Sequence, residues 1–173
     1  MNAPFFLFII PLTPFDKLPE ERKLLQKICF ELLKKQTYKH WKALLIGEYI
    51  PENMDDENHF IHLNFNGTKE LKLKVACEYI ENNSIHTDYI IRLDDDDFIN
   101  PFILSEIKNL DFDVFVDSYH HFLCYFRKKY TRQFRPWFPN TFIIRKKIAL
   151  LKKEDLSVYE LFENNQKYLI ENE

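Results

Sequence analysis

Four consecutive carboxylates, Asp94, Asp95, Asp96 and Asp97, stand directly after a short apolar run, Tyr89 to Leu93. Like charges this close push one another's pKa values up unless a cation or a set of donors neutralises them. Hard divalent ions such as Mg²⁺ or Mn²⁺ take oxygen ligands, usually one or two carboxylates together with the phosphates of a substrate. A metal and diphosphate site is one reading of this spacing, and a solvated acidic turn is the other. An EF-hand is excluded: a twelve-residue loop counted from Asp94 puts Phe98 at the fifth position, Ile99 where glycine is needed and Ser105 at the end.

The acids need an element to hold them. Tyr89 to Leu93 has the β-branched, apolar character of a strand buried on both faces. Asn100 and Pro101 fit the N-cap and first turn of a helix running to Asn109. The acids then occupy a strand-to-helix loop at the carboxyl end of a central strand, where open α/β sheets place their ligands. Arg92 alternates with Asp94 along the strand and is a candidate to orient the acids or pair with a phosphate.

The run IIRLDDDDFINP resembles the segment that nucleotide-sugar glycosyltransferases of the GT-A fold carry around their Asp-x-Asp motif, particularly family 2 and rhamnosyltransferase-like relatives. The resemblance implies an α/β domain of GT-A type, a mainly parallel, Rossmann-like sheet flanked by helices. It also implies transfer of a sugar from a nucleoside diphosphate donor to a glycan or lipid-linked acceptor, with inversion. Asp94 and Asp96 would hold Mn²⁺ or Mg²⁺, and Asp95 would reach the ribose hydroxyls.

The order of elements extends the resemblance over residues 4–110, the nucleotide-sugar half, leaving 111–173 as a short acceptor side. Phe5 to Ile10 reads as a buried strand stopped by Pro11 and Pro14. By resemblance Pro11, Leu12 and Thr13 touch the nucleoside; otherwise they are a plain strand exit. Pro19 opens a helix with Leu24, Leu25, Ile28, Cys29, Leu32 and Leu33 as its apolar stripe. Ala43 to Ile46 is a second strand, ending at Glu48, where family 2 enzymes place an acid that reads the base. Phe60 to Leu63 is a third strand, with His59 just before it and His62 within it; three residues apart, they point to opposite faces and do not suit a shared metal. A helix after Gly67 and Thr68 buries Leu71, Val75, Ala76, Tyr79 and Ile80. The resemblance puts its Lys72 and Lys74 near the donor phosphates, while a solvated face explains them equally.

Beyond residue 110 the signals thin. The stretch around Phe112 to Val116 and Phe122 to Phe126 reads as two strands or one long bent strand, with Asp117, His120 and His121 between the two apolar clusters. The resemblance makes one of the two histidines a candidate metal or acceptor contact, and solvent-facing turn residues are the alternative. Arg127 to Lys153 carries ten Lys or Arg and no Asp or Glu, interleaved with Tyr130, Phe134, Trp137 and Phe138. Such a belt suits a leaving diphosphate, an anionic acceptor, an acidic lipid surface or single-stranded nucleic acid. Asn140 to Lys147 reads as a last strand, and the resemblance implies a strand ending in basic residues before the acceptor helix. Glu154 and Asp155 are the nearest matches to the acidic pair of family 2 enzymes, with Asp155 as the candidate general base. Ser157 and Glu160 also fit a capping box, in which those acids only stabilise a helix start.

Composition limits the alternatives. A chain of 173 residues, 46% hydrophobic and 16% aromatic, is sized for one domain with a real core. A net charge of −3 argues against a protein devoted to nucleic-acid backbones. Cys29, Cys77 and Cys124 are odd in number and far apart, so they read as buried thiols of a reducing compartment rather than disulfides or zinc ligands. The apolar Ala3 to Leu12 is too short to span a bilayer and lacks the marks of a signal peptide, so a cytoplasmic location is expected, with peripheral membrane contact through the basic belt. With only Gly47 and Gly67 in the chain, no glycine-rich phosphate loop exists. Any diphosphate must be held by a metal and cationic side chains. The remaining classes are a nucleotidyltransferase-like phosphoryl enzyme and a non-catalytic module for polyanions or membranes.

Overall fold

Strand β1, Phe6–Pro11, has all six residues buried because it lies between two layers of helix. Its side chains alternate: Phe6, Phe8 and Ile10 join one core, and Leu7 and Ile9 join another. The computed structural model describes residues 3–51, 54, 58–116, 119–124, 129–134 and 143–150. Helix α1, Glu20–Lys34, covers the first face with Cys29, Phe30 and Leu33. Helix α2, Lys69–Asn82, covers the second with Leu73, Ala76, Cys77 and Ile80.

Strands β2 (Trp41–Gly47), β3 (Phe60–Asn64) and β4 (Tyr89–Arg92) complete the parallel part of the sheet. The helix α3 (Ile103–Ile107), the two-residue strand β5 (Val114–Phe115), the strand β8 (Ile143–Arg145) and the helix α4 (Lys146–Ala149) follow. Between β5 and β8 the strands β6 (Tyr119–Cys124) and β7 (Lys129–Phe134) form a separate antiparallel pair. The main sheet runs β3-β2-β1-β4-β8-β5, with β8 antiparallel to both neighbours. This is the expected mainly parallel α/β domain with helices on both faces of the sheet. The chain leaves β1 in one direction towards β2 and returns on its other side as β4, so a crevice opens between the carboxyl ends of β1 and β4.

Several local expectations need correction. The stripe on α1 is rotated: Leu24 and Ile28 are exposed, and Gln26 is buried with Cys29, Phe30 and Leu33. On α2, Leu71 is exposed and Lys72 is buried. In both helices a polar side chain with a buried partner displaces an apolar one from the inward face. The helix after Pro101 begins only at Ile103, and Asn100 is not its cap. Instead Asn100 Oδ1 accepts from Phe102 N at 3.0 Å, shaping the turn before it. His120 and His121 lie within β6 rather than between two strands. Among the described residues no helix is long and apolar enough to cross a membrane.

The crevice depends on close packing beneath it. A Cβ added at Gly47, the last residue of β2, would stand 2.8 Å from Leu12 Cβ. Gly47→Ala is therefore expected to cost about 1–3 kcal/mol in urea unfolding, as overpacking does.

Candidate active site

The loops after β1, β3 and β4 meet at one edge of the sheet. Leu12 N donates to Ile46 O at 2.9 Å and Leu93 N to Ile9 O at 3.1 Å, carrying the sheet's hydrogen bonding just past the strand ends. A cleft of about 250 Å³ opens there. Pro11 to Pro14 forms one wall and Gly67 to Lys69 another, with Lys17, Arg22, Lys72, Asp94 and Asp95 also lining it.

The segment Pro11 to Pro14 is held from several sides. Asp95 accepts from Thr13 N at 2.8 Å and Thr13 Oγ1 at 2.9 Å. Gln26 Nε2 donates to Asp95 Oδ2 and to Tyr49 Oη, each at 2.8 Å. From the opposite face of the sheet, Lys72 Nζ donates to Leu12 O at 2.7 Å. Burial pulls the Lys72 ammonium below its ordinary pKa, against the attraction of Glu48 and Asp95. Paired in this way, a buried lysine and a buried aspartate fix the strap between them.

The four acids diverge rather than project together. Asp94 Oδ2 meets Lys69 Nζ at 2.5 Å, and its Oδ1 lies 3.8 Å from Arg92 Nε. Asp96 Oδ2 lies 3.2 Å from Arg22 Nη2. Burial, with repulsion from Asp95 and Asp94, raises the Asp96 pKa despite Arg22. For Asp97, burial followed by Asp94 and Asp96 pushes the carboxyl up to about 6, with Lys69 and Arg92 opposing. The Cys29 thiol, raised first by burial and then by these acids, is inert core.

The cleft is rich in donors for an anion. Thr68 Oγ1 caps α2 by accepting from Leu71 N at 3.4 Å, so the positive end of a 14-residue helix faces the space. Lys69 is the first residue of that helix, and Arg22 is in the first turn of α1. Sequence reasoning missed Lys17, Arg22, Gln26 and Lys69. The available signal was the Gly67-Thr68 entry to α2, which puts the next residue at the ligand edge, and the Arg22 and Gln26 spacing of four, which puts both on one face of α1.

Of the residues singled out from sequence, Pro11, Leu12, Thr13, Lys72, Asp94 and Asp95 come together in the cleft. Arg92 is buried beneath Asp94, and its Nε makes no hydrogen bond. Glu48 is exposed at the end of β2, close enough to act on Lys72. Lys74 is a correction: two residues from Lys72 it points off the other side of α2, 3.9 Å from Glu78. Asp95 likewise has both oxygens engaged by Thr13 and Gln26, which makes it a strut under the strap rather than a group reaching into the space.

The basic end of β8 is a further correction. Because β8 is antiparallel, Arg145 sits beside Tyr89, at the edge opposite the acids. There its Nε donates to Asp113 at 2.7 Å and its Nη2 to Asp111, while Lys146 Nζ donates to Ile85 O at 2.7 Å. His59 Nδ1 and His62 Nε2 pair with the carbonyls of Trp41 and Gly47, so both are structural. Asp117, Arg127, Trp137, Phe138, Glu154, Asp155, Ser157 and Glu160 lie outside the described residues.

No protein-family model matches the chain, and no curated protein matches its sequence. Its backbone does resemble solved structures. TarS 1-349 from S. aureus is 15% identical with a TM-score of 0.57, over 95% of this chain and 55% of that one. The bifunctional IspDF from Campylobacter jejuni is 13% identical with a TM-score of 0.53, over 94% and 47%. The chain shares its fold with these proteins, a mainly parallel six-stranded sheet with helices on both faces. A third likeness, to the inositol-1-phosphate CTP transferase from T. maritima, has 13% identity and a TM-score of 0.50 over 99% and 83%. The chain thus spans about half the length of the first two, 55% and 47%.

The donor chemistry of the cleft suits a hard divalent ion. Asp94 in the cleft wall supplies carboxylate oxygen, Asp96 stands next to the cleft without lining it, and among the described residues no cluster of three or more His, Cys, Asp or Glu could enclose an ion alone. An ion held there would need further oxygen ligands, such as those of a phosphate.

Proposed function

We propose that the chain transfers a sugar from a nucleoside diphosphate donor bound in the cleft between β1 and β4. The observation that carries this reading is the cleft's composition: a strap fixed by Asp95 and Lys72, a helix N-terminus and the cations Lys17, Arg22 and Lys69 beside the Asp94 carboxylate. The nucleoside lies along Pro11 to Thr13, with Glu48 at the end of β2 reading the base. Lys17, Lys69, Arg22 and the start of α2 receive the diphosphate. Asp94 and Asp96 are the residues that would hold Mn²⁺ or Mg²⁺, which when bound supplies positive charge to the leaving diphosphate. Arg92, buried below, orients Asp94. Asp155 stands as the general base for a glycan or lipid-linked acceptor, with inversion at the anomeric carbon.

A nucleotidyl transfer is the second reading, favoured by the likeness to a CTP transferase over 83% of that protein's length. The proline-rich, glycine-free exit of β1 disfavours it, because backbone amides cannot wrap a triphosphate there. Incubation with a panel of nucleoside diphosphate sugars and Mn²⁺ decides between them. Slow release of nucleoside diphosphate, reduced at least about 100-fold in Asp96→Asn, is expected. Pyrophosphate release from a nucleoside triphosphate and a sugar phosphate, with no sugar-nucleotide turnover, would replace this reading by the second.

A further inference from the structure

Two buried cations near the cleft differ from the rest. Lys72 is 2% exposed and tied to Leu12 O, and Arg92 is buried under the acids. Their positions are fixed by the core. Lys69 and Arg22 have side chains 38% and 41% exposed and reach the acids from helices on opposite faces of the sheet. Long exposed side chains change rotamer readily. Each rests on one of the two carboxylates that the proposed function assigns to a divalent ion: Lys69 on Asp94 and Arg22 on Asp96.

We propose that Lys69 and Arg22 exchange partners, occupying Asp94 and Asp96 when the donor is absent and moving to the diphosphate when it binds. The inference rests on the proposed function and adds how that site is regulated. A carboxylate paired to an ammonium or guanidinium is a poor site for a second cation, since like charges about 4 Å apart repel even when partly screened. The free protein therefore binds a divalent ion weakly. Phosphate oxygens draw Lys69 and Arg22 away, their guanidinium and ammonium donors matching that geometry. Asp94 and Asp96 are then released towards the ion. Each ligand strengthens the other by the same factor, as linkage requires. The pairs also keep Asp94 and Asp96 neutralised in the empty protein, which the crowding of acids demands.

The test is titration calorimetry of the full chain with Mn²⁺ alone, with a nucleoside diphosphate alone, and with both. The nucleotide is whichever of UDP, dTDP, CDP, GDP and ADP the wild type binds most tightly. In Lys69→Gln and Arg22→Gln, Mn²⁺ alone is expected to bind about five- to tenfold tighter and the nucleotide alone about tenfold weaker, within the usual range of coupling between sites. Lys69→Arg should keep the wild-type pattern, and Lys74→Gln, which removes a charge from the far side of α2, should change neither affinity. Ion pairs with a partly exposed cation contribute modestly to stability, so the variants should fold, which melting curves verify.

In the wild type itself, the ¹⁵Nζ resonance of Lys69 should shift on adding the nucleotide without Mn²⁺. Variants that bind Mn²⁺ no tighter, or a Lys69 signal that stays put while nucleotide binds, would overturn the exchange and leave the proposed function standing. A wild type that binds none of the five nucleotides, with or without Mn²⁺, would remove both.

Discussion

Asp95→Ala is expected to lower the melting temperature by on the order of 10 °C and to abolish nucleotide binding. Asp95 is 2% exposed and accepts from Thr13 N, Thr13 Oγ1 and Gln26 Nε2. Truncation leaves these donors without their acceptor and removes a negative charge 3.9 Å from Arg22. Breaking such a buried charged network costs about 3–5 kcal/mol. In a domain of this size each kcal/mol moves the midpoint by about 2–4 °C. The functional loss follows separately, because the strap from Pro11 to Pro14 loses its main anchor and the cleft wall moves. Asp95→Asn, which keeps one acceptor oxygen, should fall between wild type and alanine. Differential scanning calorimetry with a nucleotide titration measures both effects, and an alanine variant as stable as the wild type would show that the strap is held without it.

Asp97→Asn should have the opposite sign, stabilising the protein at neutral pH. The folded pKa of Asp97 is about 6, above its ordinary 3.8. The native state thus binds a proton more readily than the unfolded chain between those values, and stability falls as pH rises through that window. At pH 7 the ionised carboxylate carries a penalty of about 3 kcal/mol. Asparagine removes it, so the gain should approach that figure at pH 7 and vanish near pH 4. Urea unfolding of both proteins at the two pH values, with a chelator present, gives the comparison. An equal effect at both would mean that the substitution acts through packing.

These two neighbours show how far residue types alone lead. The strand order through β4 and the position of the acids were legible because β1, β2 and β4 are short, apolar and buried on both faces. The divergence of the acids was not, since four identical residues in a row carry no information about direction. Tertiary partners decide it: Lys69 for Asp94, Thr13 and Gln26 for Asp95, Arg22 for Asp96. Apolar periodicity misplaced the inner faces of α1 and α2 for the same reason, because Gln26 and Lys72 are buried by hydrogen bonds that a hydropathy pattern does not register. Lys74 was placed near the phosphates by the resemblance, where helical geometry turns it away. The direction of β8 was equally hidden. An apolar triplet pairs either way, and only the antiparallel register reveals that Arg145 and Lys146 face away from the cleft.

The central claim is that a nucleoside diphosphate and a divalent ion share the crevice between the ends of β1 and β4. The most direct measurement is the ¹H–¹⁵N spectrum of the protein, titrated first with the nucleotide and then with substoichiometric Mn²⁺, whose unpaired electrons broaden nearby amides. Shifts at Leu12, Thr13 and Thr68 to Lys69, followed by broadening centred on Asp94 to Asp97, are the predicted result. Broadening centred elsewhere, or a spectrum that neither ligand alters, would contradict it.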